Sequence, residues 1–184
     1  MHKVLKSNWF WSFFATVLIL FSFTVFSSWV VMVSVWFGLF FIFRFTGLEA
    51  KLSDKEHKLY LATVLLYPVV ETGIKWMIVR NVIPYSWFWL NRLEHFSWAI
   101  AVTILFLPTY TDIWQNLKWW QSMIFVVGLV CILGNLNEFL EYGLRMGNSK
   151  NFAAFYWDTI YDMMINMMGG LIGFVVTRWN AKIG

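Results

Sequence analysis

Six stretches of the chain are apolar over close to twenty residues each: 9–27, 29–46, 58–79, 89–109, 119–142 and 157–177. A helix rises about 1.5 Å per residue, so about 20 apolar residues cross a hydrocarbon layer roughly 30 Å thick. Each stretch therefore predicts a membrane-spanning helix. Lys3 and Lys6 precede the first one, as in a signal peptide. That run outlasts a usual signal core, lacks a clear small-x-small cleavage site and is followed at once by the next apolar stretch, so it is expected to form half of a helical hairpin. Pro68 and Pro108 interrupt the third and fourth spans and predict kinks there. Connections are short and no period repeats, which gives one transmembrane helical domain over 1–184.

Composition agrees. Of 184 residues 60% are hydrophobic, 21% aromatic and 13% charged, where soluble domains carry about 25% charged residues. A disordered chain, a disulfide-built module and an ordinary soluble domain are excluded. The lone Cys131 lies in an apolar stretch and is expected to pack. A net charge of +4 does not imply nucleic acid here, because the bases flank apolar segments and act as orientation signals.

Counted by alternate connections, Lys3, Lys6, Arg44, Lys51, Lys55, Lys58, Lys118, Arg178 and Lys182 fall on one side. Arg80, Arg92, Arg145 and Lys150 fall on the other, with Lys75 inside a span. The positive-inside rule then places both termini in the cytoplasm. Trp114, Trp119, Trp120 and Trp179 are expected at the inner interface, and Tyr85, Trp87, Trp89, Tyr156 and Trp157 at the outer one. The run Gly47–Lys58, which mixes Glu49, Asp54 and Glu56 with bases, reads as a solvated cytoplasmic loop.

The acids are distributed against this background. Glu71, Glu94, Glu138, Glu141, Asp158 and Asp162 lie in spans or at their mouths, where an acid at a helix centre costs about 2.5–3.5 kcal/mol on insertion scales. With the N-terminus inside, Asp158 sits at the outer boundary, Asp162 about 6 Å and Asn166 about 12 Å deeper, and Glu138 one turn inside Glu141. Asn91 and His95 enter from the same side, as do Glu71 and Lys75. Asp158, Asp162 and Asn166 repeat at i, i+4 and i+8, and Gly169, Gly170 and Gly173 continue their face, so this stripe is expected to face protein.

Lys75, Arg92 and Arg145 are too few to neutralise six ionised carboxylates. Such a cluster protonates some members, admits water or binds a cation. Carboxylates and a histidine on facing helices can hold a divalent ion, with His95, Glu138, Glu141, Asp158 and Asp162 as candidate ligands. Plainer accounts exist for single members. His95 can be a packing residue, Glu94 a headgroup-level partner of Arg92, Glu71 a neutral pair with Lys75, Asp158 a helix cap, and the methionines 163, 164, 167 and 168 gap fillers. They do not account for the joint convergence of Glu138, Asp162 and Asn166 on His95.

Three runs carry a family likeness: Asn91-Arg92-Leu93-Glu94-His95-Phe96-Ser97, Asn137-Glu138-Phe139-Leu140-Glu141-Tyr142, and Asp158 through Asp162 and Asn166 to Gly169. Their order resembles that in small bacterial inner-membrane proteins of the YjdF-like family, and more loosely in VanZ-like proteins linked to teicoplanin resistance. The likeness covers residues 91–173, and Asn91 stands where the family pattern has an acid. It implies the bacterial cytoplasmic membrane and a shared polar site, with His95, Glu138, Glu141, Asp158 and Asp162 matching the YjdF-like polar residues and Asn166 and Gly169 the VanZ-like ones.

The expected activity is an outward-facing site working on an envelope lipid or lipid-linked headgroup. His95 or Glu138 would be general base or acid, Asp158 and Asp162 would hold a divalent cation or a cationic group, and Asn166 would orient one of them. The alternatives are a proton- or cation-coupled carrier, or an envelope assembly or resistance protein whose polar cluster only fixes packing. No serine-protease-like triad, zincin motif or phosphate loop is present.

Overall fold

The computed structural model describes residues 7–84, 87–146 and 152–182. Lys3, Lys6, Tyr85, Lys150 and the side chains of Glu141, Arg145, Tyr156 and Lys182 lie outside the described part. Among the described residues the chain is all-helical: α1 (Asn8–Ser22), α2 (Ser27–Phe45), a 3-10 turn (Leu48–Lys51), α3 (Asp54–Val79), α4 (Phe88–Leu105), α5 (Leu107–Asn116), α6 (Trp119–Met146) and α7 (Phe152–Lys182). Four helices are long and apolar enough to cross a membrane, and a fifth span results if α4 and α5 are taken together. With its 15 residues, α1 is apolar but shorter than the other candidates.

The side chains are distributed as in a chain solvated by lipid. Phe13, Val31, Ile132, Phe139 and Trp179 are exposed, while Glu71, Arg92, Glu138, Asp162 and Asn166 are buried. A soluble protein does the reverse.

The chain divides into two compact units, one up to Trp87 and one from Phe88 onward. In the first, α1 and α2 pack as the expected hairpin through Trp11 on Phe40 and Phe14 on Phe37. Arg44 ties their ends, its Nε donating to Asn8 Oδ1 at 2.6 Å while its Nη1 meets Glu49 at 2.9 Å. The charged run that follows is not simply a solvated loop. Ser53 and Glu56 form a capping box, Glu56 is buried, and α3 starts at Asp54, earlier than its apolar pattern begins. Near the other end of α3 Glu71 is buried, and Lys75 lies 5.1 Å from the centre of the Trp29 ring.

The two prolines act differently. At Pro68 helix α3 runs on. Proline has no N–H to give the carbonyl of residue 64, and Trp36 Nε1 donates to Val64 O at 3.2 Å instead. At Pro108 the path breaks, and α4 and α5 diverge by 62° around Phe106. The Tyr110 hydroxyl donates to the Thr103 carbonyl exposed by the break. Tyr110 and Trp114 then stack in the core, and Trp114 meets Phe174 and Arg178. Trp114 is thus a buried packing residue, unlike the expected interface rings Trp119, Trp120 and Trp179, which are exposed.

In the second unit α4 and α7 share the most extensive interface, with α6 against α7 next. The small residues of α7 explain the close approach. A Cβ on Gly169 would lie 2.7 Å from the Phe96 carbonyl oxygen and from Ala99 Cβ, and one on Gly173 2.7 Å from Thr103 Cβ. Tight backbone approach of this kind supplies the packing that helices in lipid cannot get from the hydrophobic effect. Gly169→Ala and Gly173→Ala are each expected to lower stability in detergent by about 1–3 kcal/mol, the usual cost of overpacking. Gly128→Ala, where an added Cβ meets nothing within 4 Å, is the control expected to be neutral or stabilising; melting temperatures of the three variants check this.

Candidate metal and acid/base site

Three helices of the second unit build the site. The first two turns of α4 present Asn91, Arg92 and His95; α6 presents Glu138; α7 presents Asp158, Asp162 and, one turn further in, Asn166. Because α-helical positions i and i+4 lie above one another, the α7 groups form one column facing α4 and α6.

Arg92 is the organising cation. Its guanidinium forks between two acids of α7, with Nη2 to Asp158 Oδ1 at 2.7 Å and Nη1 to Asp162 Oδ1. Tyr161 lies 5.4 Å from its centre, ring toward the charge. The planar fork suits this double contact better than a lysine ammonium would. Asn91 Nδ2 approaches both oxygens of Asp162 at 3.4 Å.

The second oxygen of Asp162 looks the other way, to histidine. His95 Nε2 is 3.5 Å from Asp162 Oδ2, and His95 Nδ1 is 3.6 Å from Glu138 Oε1. Arg92, Glu138 and Asp162 are 6%, 4% and 3% exposed. One ligand atom from each of His95, Glu138 and Asp162 falls within 4.8 Å of the others, a grouping that could hold a metal ion. The separations of 3.5 and 3.6 Å run from different imidazole nitrogens, so an ion held by all three residues would sit at one of them. Such an ion would draw in one oxygen from each carboxylate, and the second imidazole nitrogen would be left facing the acid beside it.

Of the residues expected to ligate, His95, Glu138 and Asp162 therefore come together. Asp158 stands at the mouth, its side chain 34% exposed and engaged with Arg92. Asn166 is buried one turn inward of Asp162. The side chain of Glu141 lies outside the described part, and Glu71 and Lys75 belong to the first unit. Arg92 departs most from expectation. It was counted as an outer orienting charge and as one of three bases near the acids, and it is buried and spans Asp158 and Asp162. Its spacing three residues before His95, on the same helix face, is the signal that places it at the site. Gly134 was not expected to matter, and it packs directly on Asn166.

Compared with family models, curated proteins and solved structures, the chain matches none.

Removing one partner of a buried ion pair costs about 3–5 kcal/mol, because the other charge is left uncompensated. Arg92→Met is expected to destabilise the protein on that scale. Adding Asp162→Asn should recover part of the loss, so a thermal double-mutant cycle should give a coupling of at least about 1 kcal/mol; additive losses would show that the fork carries no net weight.

Proposed function

We propose that this chain is a six-span protein of the bacterial cytoplasmic membrane, with both termini in the cytoplasm, whose His95–Glu138–Asp162 site holds a divalent cation and acts on the headgroup of an envelope lipid or lipid-linked substrate. The observation that carries this reading is the meeting of one imidazole and two carboxylates from three helices within 4.8 Å. In this reading α1 is the first span and the bent pair α4–α5 the fourth. The first span is short at about 22 Å, a mismatch that thinning of the bilayer or flanking residues absorb at modest cost.

Depth supports a headgroup substrate. Trp89 and Trp157, 67% and 59% exposed, lie within one turn of Arg92 and Asp158 along their helices, and tryptophan prefers the headgroup level. Asp158 opens the site at that level, and Asp162 lies about 6 Å further in. A divalent ion there would polarise a bound oxygen and lower the pKa of a bound water. His95 and Glu138 are placed to take or return a proton, and Arg92 holds Asp162 in position.

An imidazole with a carboxylate at each nitrogen also suits proton hand-over in a carrier. A carrier needs polar groups continuing toward the cytoplasmic face. Beyond Asn166, however, the face turns to glycine and to Thr103 and Thr177, whose hydroxyls donate to carbonyls of their own helices. That favours a site closed at its inner end.

Purified in detergent and equilibrated with zinc or manganese, the wild-type protein is expected to retain a stoichiometric ion by elemental analysis, and His95→Ala and Glu138→Gln to lose it. Mass spectra of lipid extracts should show a headgroup change in cells producing wild type that is missing in cells producing His95→Ala. An ion-free wild type removes the metal from this reading, and identical lipid profiles remove the substrate.

A further inference from the structure

Asn166 is 1% exposed, and neither its Oδ1 nor its Nδ2 has a hydrogen-bond partner among the described residues. Interiors avoid this arrangement, and an exception calls for a cause. The position is also built around the amide. Asn166 lies one turn inward of Asp162 on α7, and Gly134 lies one turn inward of Glu138 on α6, so the helices that carry the two carboxylates also carry this next layer. A Cβ on Gly134 would stand 2.7 Å from Asn166 Nδ2 and 3.2 Å from its Cγ. An added side chain there would displace the amide from its present place.

We infer that Asn166 is the inner wall of the site and holds a hydroxyl, supplied by a water or by an alcohol of the substrate. The inference rests on the His95–Glu138–Asp162 grouping being a binding site, as proposed above. A carboxamide offers donors and an acceptor together, and here both sides are unengaged. A hydroxyl answers both, accepting from Nδ2 and donating to Oδ1. An ionised phosphate oxygen answers only the donor, and the carboxylates of Glu138 and Asp162 one turn outward repel it. The inner end of the site thus selects a neutral hydroxyl over an anion. It sets that hydroxyl in the layer inward of Glu138 and Asp162, the two acids that flank His95.

The test uses the full chain in detergent with 15N-labelled asparagine, the Asn166 side-chain resonance being identified by its loss in Asn166→Leu. Magnetisation is expected to pass between the Asn166 amide protons and water or hydroxyl protons, and an amide silent to both overturns the inference whether or not a metal binds. Dihexanoyl phosphatidylglycerol, which carries free headgroup hydroxyls, separates the sources: transfer to the probe in place of water identifies a substrate alcohol, and persistence of the water signal identifies a resident water. In Co2+ titrations the wild type is expected to bind the ion and His95→Ala to lose it. Failure of wild type to bind Co2+ overturns the metal reading alone, because the amide measurement does not depend on it.

Discussion

A carboxylate removed from water needs a counter-charge and hydrogen-bond donors within the same low-dielectric space, and Asp162 is where this chain meets that demand. One of its oxygens goes to Arg92 and the other faces His95. Through these two contacts α7 is bound in register to α4, and through His95 the register extends to Glu138 on α6. Shifting α7 by one residue would turn Asp162 about 100° away from both partners and leave a buried charge unmatched. The polar site and the packing of the second unit are therefore one feature. Residues that could do chemistry are held in place by the same contacts that make their burial tolerable.

Small residues make those contacts reachable. Gly169 and Gly173 allow α7 to lie against the Phe96–Thr103 segment of α4 with only the small Ala99 and Thr103 side chains at the contact, and an arginine one turn above can then reach across two acids. The prolines mark the other constraint. Where Trp36 can replace the missing donor the helix passes through Pro68, and where Tyr110 takes up a freed carbonyl the chain turns instead at Phe106. Each irregularity is closed by an aromatic side chain with a polar end, from a sequence rich in such residues.

Much of the second unit can be read in the sequence. The i, i+4, i+8 spacing of Asp158, Asp162 and Asn166 gives the stripe that is buried from Asp162 inward, and the glycines that follow continue it, though only the structure shows that they set the approach of α4. The apolar runs give the long helices. What the sequence hides is pairing between helices. Arg92 looks like an orienting charge at a span mouth until the structure sets it against acids about seventy positions away, and Gly134 looks like any glycine in an apolar helix until Asn166 is found against it. The 62° turn at Phe106 was legible only as a kink, because proline marks where a helix is weakened and the neighbouring contacts set the angle. Trp114 was misplaced for a related reason: its position after an apolar run suggests an interface, and the turn at Phe106 brings it inside.

The fork between Arg92 and Asp158 with Asp162 also bears on how such a protein is made. Its members are separated by 66 and 70 residues, so at about 5–20 residues per second of synthesis the arginine precedes its acids by seconds. A helix with two acids on one face is a poor candidate to leave a translocation channel unaided. α4, made first, carries the guanidinium that both acids of α7 meet, so those acids are matched only once the two helices come together. Burying the acids of α7 and packing α7 on α4 are then one step.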